Sequence, residues 1–461
     1  MLLRSGIKGF DELLYGGLIK NSAILVEGVP GAGKTTFGLE FIYKGIKEMH
    51  EPGIVITFEE LPEQLYRDAA NFGWDLRQLE EQNLLRVICT SPELIFNNTR
   101  DFLVSIVKEI SAKRLLLDSI TQFNMEISNP SELRRSVYSL CSGLKRMGLT
   151  SIFIKEVEDY KSNKACFEEY LVDTVIRLYF EETSHFRKRY IEILKSRGQD
   201  FISGKYPFKF TPNGLEVIGF PEIIEPLDQC LLPEEKLSSG IDGLDNILGG
   251  GFLKRSSIMI EGASGTGKTV MGIHYLLEGI KNNEKGLLLV TEESASSVRQ
   301  YIDSFAFNGG IVWPHEDFFI MDRLYDSTSL EDLINKMITM IKTHSIQRVV
   351  IDFVNTFLEI SDNMLVLKTI LRNLLNNLFM LGCTTILILN EEQSDNHSSV
   401  IKNIIQPLVR GEIHLSSTVK KGKRYRSLEV SKMKGQKYIT GTHLAEITSS
   451  GMAVYQRLGG V

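Results

Sequence analysis

The chain is poor in cysteine: it has 461 residues and five cysteines (Cys89, Cys141, Cys166, Cys230, Cys383), with no C-x-x-C pair and no metal-like spacing to its eight histidines. A disulfide scaffold and a Cys/His zinc site are thereby excluded, and buried reduced thiols with a cytoplasmic address are expected. Long apolar runs are also missing. The richest stretch, Leu374 to Leu389, is broken by Asn376, Asn377 and Gly382, and the opening Met1-Leu2-Leu3-Arg4-Ser5-Gly6 lacks the apolar core of a signal peptide, so a soluble protein without a membrane partner is expected. Nor is there an excess of positive charge. Lys+Arg is 52 against Asp+Glu 58, a net charge of -6, which argues against a constitutive nucleic-acid binder. What remains, 43% hydrophobic and 24% charged residues, is ordinary globular composition, with room for about two to four domains.

The chain is a duplication. Ser5-Gly6-Ile7-Lys8-Gly9-Phe10-Asp11 returns as Ser239-Gly240-Ile241-Asp242-Gly243-Leu244-Asp245, and Leu115-Leu116-Leu117-Asp118 as Val349-Val350-Ile351-Asp352, both offset by 234 residues. A period of that size is a whole domain rather than a solenoid repeat. The reading is a first domain at 1–218, a linker at 219–236 rich in proline and acidic residues, and a second domain at 237–461. In each copy short β-branched runs alternate with amphipathic segments. In the first copy strands are expected at Ala23–Glu27, Ile54–Phe58, Leu85–Ile88, Arg114–Asp118 and Ser151–Lys155, and antiparallel strands follow at Thr174–Phe180 and Arg189–Lys195. The fold class is therefore α/β, two tandem domains, each a mostly parallel sheet flanked by helices with antiparallel C-terminal strands.

Gly28-x-x-x-x-Gly33-Lys34-Thr35 and Gly262-x-x-x-x-Gly267-Lys268-Thr269 both fit the phosphate-binding loop, each between an apolar strand and an amphipathic helix. The expected nucleotide-binding residues are Gly28, Pro30, Gly31, Ala32, Gly33, Lys34, Thr35 and Thr36, then Gly262, Ser264, Gly265, Thr266, Gly267, Lys268, Thr269 and Val270. Glycines let backbone N–H groups curl around phosphate oxygens, the lysine neutralises charge, and the threonine hydroxyl ligates Mg²⁺. Asp118 and Asp352 end apolar strands 84 residues after their P-loop lysines, where an acid holds Mg²⁺. The doublets Glu59-Glu60 and Glu292-Glu293 end the strand after each P-loop helix, where a carboxylate can polarise an attacking water; favourable charge at a helix N-terminus is the bland alternative. Lys195-Ser196-Arg197-Gly198 and Lys432-Met433-Lys434-Gly435 close a late strand, and their alternating cations can stabilise transferring phosphate, solvated edge charges being the alternative.

With these motifs in duplicate, both halves resemble the KaiC family of RecA-like P-loop ATPases over nearly the whole chain. The resemblance implies ATP and Mg²⁺ as ligands and a double-ring homohexamer with ATP between subunits. Lys195, Arg197, Lys432 and Lys434 would then reach a neighbour's nucleotide. It also implies slow hydrolysis and, in the clock members, an autokinase and autophosphatase cycle in the second ring. Two departures are visible. The first copy keeps the Asp173-Thr174 that follows the clock proteins' phosphorylated Ser-Thr pair, but the second has Arg410-Gly411 there, with Gln406 and Pro407 at the pair itself. The chain also stops at Val461, so the extended regulatory tail of the clock proteins is not expected.

Three functions follow as expectations: a hexameric ATPase switch read by an unknown signalling protein, a Ser/Thr autokinase, and a nucleic-acid-dependent motor. The last rests on the basic cluster Lys420-Lys421-Gly422-Lys423-Arg424-Tyr425-Arg426, for which a solvated hairpin is the alternative.

Overall fold

The computed structural model describes residues 1–97, 99–157, 166–182, 187–219, 234–304, 315–322, 329–360, 364–391, 396–420 and 422–456. Two compact units form, Met1–Gly219 and Phe220–Val461, each on a nine-stranded sheet. The strands of the first are β1 (Ala23–Gly28), β2 (Gly53–Thr57), β3 (Leu85–Cys89), β4 (Arg114–Asp118), β5 (Thr150–Glu156), β6 (Thr174–Glu182), β7 (Arg187–Ser196), β8 (Lys205–Thr211) and β9 (Gly214–Val217). They lie in the order β9-β8-β7-β6-β1-β5-β4-β2-β3, parallel from β6 to β3 and antiparallel from β6 to β9.

The second unit repeats this with β10 (Ser257–Gly262), β11 (Gly286–Val290), β12 (Phe318–Asp322), β13 (Arg348–Asp352), β14 (Thr384–Asn390), β15 (Gly411–Lys420), β16 (Lys423–Met433), β17 (Thr442–Thr448) and β18 (Gly451–Tyr455). Their order, β18-β17-β16-β15-β10-β14-β13-β11-β12, is the first sheet over again. The offset is 234 at β10, β13 and β14, 233 at β11 and β12, and 237 at β15, β17 and β18, so three residues are added between Asn390 and Gly411.

Parallel strands are covered on both faces, which is why they read as unbroken apolar runs. Ile24 and Val26 pack with Phe37, Phe41 and Ile42 of α1 (Lys34–Met49), while Ala23 and Leu25 pack with Leu103 and Ile106 of α2 (Thr99–Ile110) and Val137 and Leu144 of α3 (Pro130–Arg146). That division follows from the two-residue period of a strand. A short helix, α4 (Phe167–Leu171), precedes β6. In the second unit Ile258 and Ile260 face Met271 and Tyr275 of α5 (Lys268–Lys281), and Met259 faces α6 (Leu330–His344) and α7 (Met364–Met380).

Some expectations need correction. Cys141 and Cys383 are buried, but Cys89 and Cys166 are exposed. Residues 220–233 of the expected linker lie outside the described residues, and Lys236–Leu237 already pairs with Phe252–Leu253 in a short ladder. No described helix is long and apolar enough to cross a membrane.

Candidate functional site

Strand β1 ends at Gly28 and α1 begins at Lys34, so the P-loop sits at the carboxyl end of the sheet's central strand, as does its copy between β10 and α5. Gly31 and Gly33 hold φ of +76° and +102°, and Gly265 and Gly267 hold +77° and +105°, a left-handed geometry that glycine adopts without strain. Pro30, Gly31, Ser264 and Gly265 form the exposed crests, and a Cβ on Gly31 would meet nothing within 4 Å. Ala32, Thr266 and Val270 are buried, so their side chains face the protein and only their backbone is offered to a ligand. Thr36 and Val270 lie in the first turns of long helices, whose free N–H groups attract anions.

The lysine amines fold back onto their loops. Lys34 Nζ donates to the Val29 carbonyl at 3.0 Å, and Lys268 Nζ donates to those of Gly262 and Ala263 at 2.6 and 2.8 Å. Burial lowers both below the usual lysine pKa, against the pull of nearby carboxylates. Thr35 Oγ1 donates to Asp118 Oδ2 at 2.6 Å, and Thr269 bonds Asp352 in the same way. Burial pushes Asp118 up to about 6 and Asp352 up to about 7, with the threonine bonds opposing. Asp352 Oδ1 is buried without a hydrogen-bond partner. A hydroxyl beside a carboxylate that is under-compensated for its burial fits a hard, oxygen-seeking cation such as Mg²⁺.

The glutamate doublets come to the same place. Thr57 is in register with Asp118, and Val290 with Asp352, so each doublet begins just past the aspartate's end of the sheet. Glu60 is half-buried, and burial, then Asp68 and Glu59, raise its pKa. Glu59 is exposed and accepts a hydrogen bond from Gln122 Nε2. Glu292 and Glu293 are exposed, and both act electrostatically on Asp352.

The basic pairs are not brought to their own P-loops. Lys195 is in register with Val175, which neighbours Leu25, three residues and about 10 Å before the P-loop end of β1. Its Nζ donates to the carbonyls of Glu169 and Val172 at 2.6 and 2.8 Å, and Arg197 donates to that of Tyr170 at 2.9 Å. In the second copy Lys432 pairs with Glu412, at the start of β15, and donates to the Gln406 carbonyl at 2.6 Å, while Lys434 is exposed. A β-bulge falls beside each lysine, between Val175 and Ile176 and between Glu412 and Ile413. Both pairs thus lie toward the opposite end of the sheet from their own nucleotide loop.

Other arginines do reach the P-loop. Lys423 to Arg426 of the basic cluster pair on β16 with Ser417 to Lys420 of β15, and Arg426 Nε donates to the Gly265 carbonyl at 3.2 Å. Arg189, at the matching place on β7, stacks 5.1 Å over Phe210, and its Nε is buried without a hydrogen-bond partner. The Phe210 ring occupies the space a Cβ on Gly33 would need, beside Phe72 and Trp74. Sequence reasoning missed Arg189 and Phe210, and read Arg426 only as part of a basic cluster for nucleic acid. The 237-residue offset that relates Arg189 to Arg426 was the available signal.

Comparison with known proteins agrees with this geometry. The family model for the KaiC ATPase matches residues 3–222 and again 237–459. Among curated relatives, a circadian clock oscillator protein KaiC of Prochlorococcus marinus is 32% identical over 76% of this chain and 72% of its own length. The KaiC 1 of Synechocystis is 30% identical over 97% of this chain and 88% of its own. The KaiC of Picosynechococcus is 29% identical over 98% and 89%. With two P-loops, two Thr–Asp pairs and the family match in both copies, the chain belongs to the KaiC family of ATPases.

Proposed function

We propose that the protein is a slow ATPase that assembles as a homohexameric double ring in the cytoplasm, with ATP held between subunits and ring conformation read by a signalling partner. The observation that carries this reading is the position of Lys195, Arg197, Lys432 and Lys434. A nucleotide on its own P-loop is out of their reach, so a site that uses them takes them from a second copy. In that reading the loops from Gly28 and Gly262 cradle the phosphates, and Lys34 and Lys268 leave their carbonyl partners for the β/γ oxygens. Thr35 with Asp118, and Thr269 with Asp352, would hold Mg²⁺, which neutralises charge on the transferring phosphoryl group. Glu60, with Glu59, and Glu292 with Glu293 orient and polarise the attacking water. The aromatic group of Phe72 and Phe210 with Arg189 offers a flat, cationic surface for the base.

A complementation assay tests the shared site. One variant carries Lys34→Ala and Lys268→Ala, and the other carries Lys195→Ala, Arg197→Ala, Lys432→Ala and Lys434→Ala. Each alone is expected to be inactive, and mixing them with ATP is expected to restore part of the hydrolysis. Mixtures no more active than their components would defeat the reading.

Nothing calls for a nucleic-acid ligand, since Arg426 of the basic hairpin is already turned to its own P-loop. The clock phosphorylation position also has another use here: the Gln406 carbonyl accepts from Lys432, and its Nε2 donates to Glu412 at 3.1 Å.

A further inference from the structure

The P-loop helices carry different residues at one equivalent place. Glu40 lies six residues after Lys34 on α1, and His274 six residues after Lys268 on α5. Both make the same kind of bond. Glu40 Oε2 accepts from the backbone N–H of Leu215 at 2.7 Å, and His274 Nε2 accepts from that of Met452 at 2.8 Å. Each thereby ties the last strand of its sheet, β9 or β18, to the P-loop helix. Glycines at Gly214 and Gly451, with φ of +120° and +105°, let the chain come this close, since a Cβ on either would collide with the Glu40 carboxylate or the His274 ring.

The two acceptors answer a proton differently. Met452 N–H can only donate, so Nε2 of His274 carries the lone pair, and Nδ1 carries the hydrogen that it gives to the Gly240 carbonyl at 3.3 Å. Adding a proton to Nε2 sets two donors against each other and breaks the tie. A protonated glutamic acid, by contrast, keeps a carbonyl oxygen that accepts. The surroundings reinforce this. Around His274, burial comes first, holding its pKa below the ordinary 6.5, with Lys281 adding to it and Asp242 and Glu278 opposing. Around Glu40, burial comes first and raises its pKa to about 7, with Glu48 adding to it and the Leu215 N–H bond and Lys44 opposing, while Lys8 and Glu216 line the same cleft and pair with each other.

We propose that Glu40 and His274 are opposed proton-sensitive latches, so that mild acid frees the terminal hairpin of the second unit from its P-loop helix while it tightens that of the first. The hairpins touch the nucleotide loops. Met452 and Ile447 fill the space a Cβ on Gly267 would need, as Phe210 does at Gly33. Resting on the nucleotide reading above, the latch makes acid weaken the second unit's hold on ATP selectively.

Amide hydrogen exchange on the full chain tests the latch without nucleotide, so its outcome is independent of whether either unit binds ATP. Exchange at 442–455 and at 205–217 is compared at pH 7.5 and 5.5 after correction for the intrinsic rate. With a free histidine at 6.5 and a lower latched value, opening of the second hairpin is expected to rise, by up to about tenfold. With Glu40 at about 7 against 4.5 when released, opening of the first is expected to fall by roughly an order of magnitude. His274→Gln, whose amide oxygen accepts without titrating, is expected to abolish the second hairpin's response, and Glu40→Gln the first's. Parallel changes in both wild-type hairpins, or a response that persists in His274→Gln, would overturn the proposal. A selective loss of fluorescent ATP analogue from a Lys34→Ala chain at pH 5.5 then reads the coupling to the nucleotide loop.

Discussion

Arg114 is fully buried and donates from Nε to Glu51 Oε2 at 2.8 Å, while its other nitrogens bond the carbonyls of Phe41 and Arg4. Arg348 repeats the arrangement with Glu284 at 2.7 Å and the carbonyls of Tyr275 and Ser238. Each guanidinium pins the Ser-Gly-Ile opening of its domain and the P-loop helix to the start of its own strand, β4 or β13. Gly45 and Gly279 leave it room, since a Cβ on either would press into the arginine.

Removing such a partner leaves buried carbonyls and a carboxylate uncompensated, a loss of about 3–5 kcal/mol. Arg114→Ala is therefore expected to unfold the first unit at lower urea while the transition of the second stays in place. A single unshifted transition would contradict the clamp.

Lys34→Ala and Lys268→Ala are each expected to cost more than tenfold in ATP affinity at their own unit, because a buried cation facing the phosphates is lost. Nucleotide titration followed by sedimentation should also show weaker ATP-dependent assembly. Assembly of the double variant that still responds to ATP as the wild type does would count against shared ATP.

In the proposed shared site Arg197 and Lys434 act on transition-state charge, so kcat of Arg197→Ala and of Lys434→Ala is expected to fall at least tenfold with KM nearly unchanged. Steady-state phosphate release measures both. A rise in KM alone would assign these cations to ground-state binding.

Glu40 gives the first unit a pH-dependent stability. Its folded pKa is raised to about 7 from 4.5, so the native state holds the proton more tightly, and the contribution present below 4.5 is lost as pH rises through 7. At about 1.4 kcal/mol per unit the loss is on the order of 3 kcal/mol for this buried group. Urea midpoints of the first transition should therefore fall from pH 5 to pH 8, and Glu40→Gln should flatten the trend. An equal slope in the variant would rule out Glu40 as its source.

Arg426→Ala should weaken nucleotide binding at the second unit several-fold by freeing the Gly265 carbonyl and removing a cation from the loop. Single-stranded DNA is expected not to stimulate ATPase activity at low salt. Stimulation that falls steeply with salt would restore the motor reading.

The amino-acid sequence by itself determined the duplication, the alternation of strands and helices, both P-loops and the aspartates that join Thr35 and Thr269. These are written in local spacing: a loop of fixed length, an unbroken apolar run, an offset that recurs. Only the tertiary structure decided which end of the sheet each cation occupies. Lys195 and Arg189 stand on one strand six residues apart, yet the first faces the carbonyls at the end of α4 and the second stacks on Phe210 at the P-loop end. The antiparallel pairing of β7 with β6 sets that direction, and strand polarity is not a property of composition. The same holds for Glu40, His274, Arg114 and Arg348, whose surroundings come from segments about 60 to 180 residues away. Burial and hydrogen-bond partners at that range are fixed by packing, and packing alone turns an ordinary charged residue of a helix or strand into a clamp or a latch.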